Sequence, residues 1–214
     1  FFDVRLRGEI GPSRRGPTPG RLNAAFAENA PPAIRQVNHE PRQPRSGELI
    51  RFTAKVTDAD GVSGVRLHLQ DVAPGAYIEL TDTAYESDWT SQPMNDAGAE
   101  GDAVAGDGVY TVTLAPDQAK HRHLIRYRLS VVDGAGNSVR VPYADDPQPN
   151  FALFVYDGVP AWTGAVRPGA TGSAGQVFQV GPDEMNRVPS LHLLGRKETV
   201  EDSTWFSRYG GDAY

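Results

Sequence analysis

The sequence predicts an all-β protein, an immunoglobulin or fibronectin-III-like two-sheet β-sandwich with extended amino- and carboxy-terminal segments. Seven or eight short stretches alternate apolar and polar residues with a period of two, which puts every second side chain on one face of a strand. Turn signals rich in Asp, Gly, Asn and Pro separate these stretches. The composition, with 23 Gly, 17 Pro and 39% hydrophobic residues among 214, fits a loop-rich β protein better than a helical one. That length is ample for a buried core.

Taken in order, residues 2–7 could form one short strand. Residues 11–20 cannot be regular, because three prolines and three glycines break helix and ladder alike. The domain proper is expected to start near Pro31, with a short strand over 33–37 and a turn over 41–47. Residues 48–57 follow as a half-buried strand, with Phe52, Ala54 and Val56 on one face and Arg51, Thr53, Lys55 and Thr57 on the other. Over 62–69, Val65, Leu67 and Leu69 point inward against Arg66 and His68. Shorter strands are expected over 77–81 and 89–92.

An acidic, glycine-rich loop (Asp96-Ala-Gly-Ala-Glu-Gly-Asp102 to Gly106-Asp-Gly108) runs into a strand over 109–114. That strand is expected to bury Tyr110, Val112 and Leu114 and to expose Thr111 and Thr113. Ile125, Tyr127, Leu129 and Val131 then alternate with Arg126, Arg128 and Ser130, and a turn over 133–136 leads to Val139 and Val141. Tyr127 sits where such sandwiches place a corner tyrosine whose hydroxyl bonds back to the backbone.

Residues 151–156 are too continuously apolar for a solvated strand and must be covered. Residues 165–175, with three glycines and one charge, read as flexible linker. Residues 188–194 read as a strand of another unit, and 197–209 as a short helix capped by Thr199 or Asp202. The expected organisation is therefore a tail and linker over 1–30, the sandwich over 31–157, a linker over 158–187, and the opening of a further unit over 188–214.

The net charge of −6 hides an asymmetry. Residues 67–119 contain ten acids and no Lys or Arg, while the rest of the chain holds 21 basic and 17 acidic residues, with Arg5, Arg7, Arg14, Arg15 and Arg21 near the start. Such a bipolar chain suits protein–protein contact or cation binding, although an acidic stretch can equally be a solvated face. No basic stripe interleaved with aromatics points to nucleic acid. No apolar run reaches the roughly 20 residues of a membrane helix, so no membrane span is expected. The absence of cysteine excludes disulfides and thiolate metal sites without fixing a compartment. The chain opens on Phe1-Phe2, and the expectation is a processed piece of a longer polypeptide.

Two groups of residues carry candidate chemistry. Asp58-Ala-Asp60-Gly61 begins like a calcium loop, and the 96–107 segment adds Asp96, Glu100, Asp102 and Asp107. Calcium takes six to eight oxygen ligands from carboxylates and carbonyls of a flexible loop. Twelve positions counted from Asp58 end on Leu69, which excludes an EF-hand. If an ion binds, Asp96, Asp102 and Asp107 are the expected ligands, and calcium the expected cofactor. Aspartate and glycine also favour turns by local hydrogen bonding alone, so both readings stand.

His121 and His123 share one face at a spacing that could serve zinc, but no third ligand is recognisable, so surface histidines are expected. Trp89, Trp162 and Trp205 could stack on sugars, or could equally be packing residues. No Ser–His–Asp arrangement or close glutamate pair stands out, and no catalytic or cofactor-binding residue is assigned.

A family resemblance rests on the order of several motifs: Thr18-Pro-Gly20, Pro31-Pro-Ala-Ile34, Asp58-Ala-Asp-Gly-Val62, residues 94–110, Phe154-Val-Tyr-Asp-Gly-Val-Pro160 and Val188-Pro-Ser-Leu-His-Leu193. This order resembles large exported bacterial proteins of the CotH-like (spore-coat protein H) family. In those proteins a lamin-tail-type β domain is often followed by an immunoglobulin-like module and then by the CotH domain. Residues 18–23 resemble the close of the lamin-tail unit, 31–157 the intervening module, and 188–214 only the opening of the CotH domain.

The resemblance implies a parent that is an atypical, ATP- and metal-dependent protein kinase, whose catalytic residues would lie past Tyr214. Phosphoryl transfer needs a phosphate cradle and metal-holding carboxylates. Gly210-Gly-Asp212 is the only late glycine–acid cluster, and no kinase residue is carried onto this chain.

The expected function is a noncatalytic, extracellular or cell-surface module for spacing, adhesion or docking, with protein partners or other copies of itself. The alternatives are a fragment of a secreted kinase, a subunit of a surface assembly, and a carbohydrate-binding accessory module.

Overall fold

The computed structural model describes residues 29–204. The amino-terminal expectations on residues 1–28, the Gly210-Gly-Asp212 cluster and Trp205 lie outside them. In chain order the elements are β1 (Ala33–Glu40), β2 (Ile50–Thr57), β3 (Val62–Val72), α1 (Thr83–Ser87), β4 (Thr90–Met94), β5 (Val109–Leu114), β6 (Leu124–Asp133), β7 (Ser138–Val141), β8 (Phe151–Phe154), β9 (Trp162–Gly164), β10 (Phe178–Val180), α2 (Pro182–Met185) and α3 (Lys197–Thr204). The protein is an all-β sandwich. One sheet has the order β1-β2-β5, the other the order β4-β3-β6-β7, with β8 pairing the first half of β6, and all pairings are antiparallel.

The alternation written into β2, β3 and β6 sets the core. Phe52, Ala54 and Val56 from one sheet face Val65, Leu67, Leu69, Ile125, Tyr127, Leu129 and Val131 from the other, all buried. Tyr127 is the aromatic hub of this interior, with ring centroids 4.9 Å from Phe52 and 5.2 Å from Phe151. Leu153 and Val155 complete one flank with Phe151 packed beside them, so the apolar 151–156 run is covered on one face, while Ala152 on the other is exposed. Pro93 lies in β4, the edge strand, where a missing amide costs no ladder bond.

Several expectations change. β1 runs to Glu40, past the expected end, and carries a bulge at Gln36, whose φ is 52°. Residues 77–81 form no strand. They cross the outer face of the second sheet, where the Ile78 carbonyl accepts from Arg126, and then enter α1. Arg126 and Arg128, on the polar side of the β6 alternation, are only 3% and 4% exposed. Arg128 lies 3.9 Å from the Trp89 ring centroid and 4.8 Å from that of Tyr85, a cation–π cover that keeps the guanidinium dry.

The stretch over 158–187 holds a small antiparallel ribbon of β9 and β10. Residues 188–194 are not a strand among the described residues, and Leu191 and Leu193 face solvent. Thr199 and Asp202 lie inside α3, which begins at Lys197, and so neither caps it.

The corner tyrosine is also redirected. The Tyr127 hydroxyl meets the His39 side chain, 3.0 Å from Nδ1, instead of a backbone group. His39 Nε2 lies 3.2 Å from the Arg42 carbonyl, which can only accept. Nε2 therefore carries the proton, and Nδ1 accepts from the tyrosine. Burial lowers the His39 pKa and pushes the Tyr127 hydroxyl up to about 12. Burial lowers His68 as well, helped by the Arg66, Arg128 and Arg140 charges around it.

Protonation of either histidine therefore favours the unfolded chain, where its pKa is near 6.5. Their stabilisation is complete above about pH 6.5 and is lost as pH falls through the lowered folded-state values. Thermal midpoints measured from pH 8 to 5 should drop on the acid side. His39→Leu should reduce that slope and cost about 1–3 kcal/mol at pH 8 by stranding the Tyr127 hydroxyl.

Candidate metal centre and carboxy-terminal clamps

The acidic loop before β5 folds back over the outer face of the first sheet. Four glycines with left-handed φ (Gly98, Gly101, Gly106 and Gly108) allow the sharp reversals. A Cβ on Gly101 would lie 2.9 Å from the Thr113 methyl, so the loop rests directly on the strand. This contact explains why Thr111, expected in solvent, is 2% exposed. Its hydroxyl donates to Asp102 Oδ1 at 3.3 Å, and its backbone pairs both ways with Asn95.

The loop brings together the three acids singled out in the sequence. Carboxylate oxygens of Asp96, Asp102 and Asp107 lie within 4.8 Å of one another. Three like charges so close repel, and backbone donors offset the cost. Asp96 accepts from the amides of Asp107 (3.2 Å) and Gly108 (2.9 Å), Asp107 from Val109 (2.8 Å), and Asp102 from Gly98 (2.7 Å). Lys55 Nζ adds a positive charge by donating to the Asp107 carbonyl.

Carboxylate oxygens keep a second lone pair for a cation, and the donor set is the hard-oxygen kind that calcium takes. Glu100 is not among the clustered acids, and the Asp58–Asp60 pair closes a local turn through Asp60 N donating to Asp58 Oδ1 at 2.8 Å.

The histidines are partners of carboxylates. His123 Nδ1 lies 2.7 Å from Asp71, and His121 Nδ1 lies 3.5 Å from Asp157 while its ring stacks on Tyr156. Trp89 packs under Arg128, and Trp162 packs on Phe178.

Two polar clamps have no counterpart in the sequence reading. Asp157 accepts from the Ser46 amide at 2.6 Å and from the Ser46 hydroxyl, and the Tyr156 amide donates to the Pro44 carbonyl at 2.9 Å. Both Ser46 bonds hold the Asp157 carboxyl below the usual carboxylate range. Arg196 places Nη2 2.6 Å from both oxygens of Asp82 and Nε 3.8 Å from Glu79. The Lys197 amide donates to the Gly75 carbonyl at 2.9 Å. Partners more than 100 positions apart leave no local pattern, which is why sequence reasoning missed them.

Comparison with models of known protein families gives no match, and comparison with curated protein sequences gives none either. Asp102→Ala should lower stability by about 1–3 kcal/mol, because Thr111 and the Gly98 amide lose their acceptor together. Denaturant titration of the purified chain measures it.

Proposed function

We propose that this chain is a noncatalytic, exported β-sandwich module that spaces and orients neighbouring units in a multidomain surface protein similar to the CotH-like family. One observation carries the reading: the segment that leaves the sandwich is tied back to it at both ends of its course. Asp157 is held by Ser46, and Arg196 by Asp82 and Glu79. Between these clamps His192 rests on Phe154 and Tyr156, with centroids 4.9 and 4.4 Å apart. Exposed ion pairs singly contribute little. Two clamps plus an aromatic contact fix a direction of exit, which is what a spacer must do.

Leu191 and Leu193, 94% and 86% exposed, give that segment an apolar edge of the kind that docks against protein. No described helix is long and apolar enough to cross a membrane.

The chain has no cysteine, so spin labels enter cleanly at Val132→Cys and Leu193→Cys. Pulsed electron resonance should return one narrow distance distribution, which broadens in the Arg196→Ala background. A broad distribution in the unaltered chain would sink the spacer reading.

The convergence of three carboxylates favours a second reading beside it, in which calcium braces the acidic loop. Calcium at about 100 times its dissociation constant would then add about 2.7 kcal/mol of stability. That gain should vanish in Asp102→Asn. A melting midpoint indifferent to calcium and chelator alike removes the reading.

A further inference from the structure

At the end of the sandwich away from the acidic loop the two sheets part. A cleft of about 500 Å³ opens there, between the end of β3, the start of β4, the end of β5 and the start of β6. Its floor is the core itself: Leu69, Leu114 and Ile125, each at most 5% exposed, line it. Its rim carries Trp89, Asp71, Asp88, Gln118 and Lys120. An apolar floor with a few converging polar groups, at a volume within the usual range for small ligands, is the ordinary form of a binding site.

The rim chemistry narrows the ligand. Trp89 is locked in place: its indole Nε1 donates to the Tyr85 carbonyl at 2.5 Å, Tyr85 meets it edge-on at 6.1 Å, and Arg128 lies over the ring. A ring fixed this way loses little freedom when a flat apolar surface stacks on it. The carboxylates have spare acceptor capacity. Asp71 Oδ1 faces His123 and Asp88 Oδ1 accepts from Ser87, while their second oxygens have no partner among the described residues. Gln118 and Lys120 are exposed, and no described side chain takes them up.

Two carboxylates, one amide and one ammonium beside an aromatic ring match a ligand that has an apolar face and many hydroxyls. Two negative charges against one positive disfavour an acidic ligand.

We propose that this cleft binds the end of a neutral oligosaccharide. A terminal pyranose stacks on Trp89 and its hydroxyls bond to Asp71, Asp88, Gln118 and Lys120. This goes beyond the spacer role and does not depend on it, since neither clamp contributes to the cleft.

The test is amide-resolved NMR titration of the whole chain with cellobiose, maltose and N,N′-diacetylchitobiose, and with a glucuronate-containing disaccharide as the acidic comparison. At least one neutral sugar should shift the amides of 87–90 and 118–120 together. Gln118→Ala, on an exposed rim residue, should weaken that sugar about fivefold, the loss of one hydrogen bond. Trp89→Phe keeps a ring under Arg128 and should weaken it further. The proposal is overturned if no neutral sugar shifts these amides at about 20 mM. Preference for the acidic disaccharide, or unchanged affinity in Gln118→Ala with the fold intact, overturns it equally.

Discussion

The antiparallel pairing of β3 with β6 is the constraint on which the rest of this protein depends. It runs from Val62 opposite Asp133 to Val72 opposite Leu124, the longest register among the described strands. β6 is the only described strand with three partners, since β7 takes its second half and β8 its first. Its inner face supplies Ile125, Tyr127, Leu129 and Val131 to the core, and its outer face is sealed over Arg126 and Arg128. A strand buried on both faces must find partners for the polar side chains it carries. Arg126 does so through Gln70, Ile78 and two aromatic faces. Arg128 donates Nε to the Pro149 carbonyl, pairs with Glu86 and lies over the Trp89 ring, while its buried Nη2 has no hydrogen-bond partner among the described residues.

That requirement explains the irregular parts. α1 is one short helix without a side-chain cap, too short to stand alone, and it exists as a lid over the two arginines. Tyr85 within it is 2% exposed and reaches Asn150 with its hydroxyl at 2.6 Å. The lid, the return of the chain through Asn150 and the entry into β8 are thus one polar assembly. Arg196 then borrows two acids of the same crossing, Glu79 and Asp82. The carboxy-terminal clamp and the cover of the two arginines thus share one crossing segment.

The acidic loop obeys a different logic. It has no apolar residue in the core, and it is shaped by glycines at positive φ and by carboxylates that accept backbone amides. Its negative charge stands on the outer face of the first sheet, while Arg66, His68 and Arg140 lie on the outer face of the second. Other acids of the 67–119 stretch lie elsewhere: Glu79 and Asp82 on the crossing of the second sheet, and Glu86 in α1 beside Arg128.

What the sequence determined by itself is local and periodic. The inward sets Phe52-Ala54-Val56, Val65-Leu67-Leu69 and Ile125-Tyr127-Leu129-Val131 followed from a period of two, because side-chain direction in a strand needs no tertiary information. The hairpin at Asp133 followed from the chemistry of Asp, Gly and Asn. The meeting of Asp96, Asp102 and Asp107 was legible because a single glycine-rich loop carries all three. Tertiary structure alone decided which polar faces are covered. Thr111 reads as solvent-facing, and Arg126 and Arg128 as the polar face of their strand, until a loop and a helix fold over them. It also turned the Tyr127 hydroxyl to His39, left 188–194 without a strand partner, and joined Asp157 to Ser46 and Arg196 to Asp82. Each of these outcomes depends on segments remote in the chain, whose meeting is set by sheet order and not by neighbouring residues.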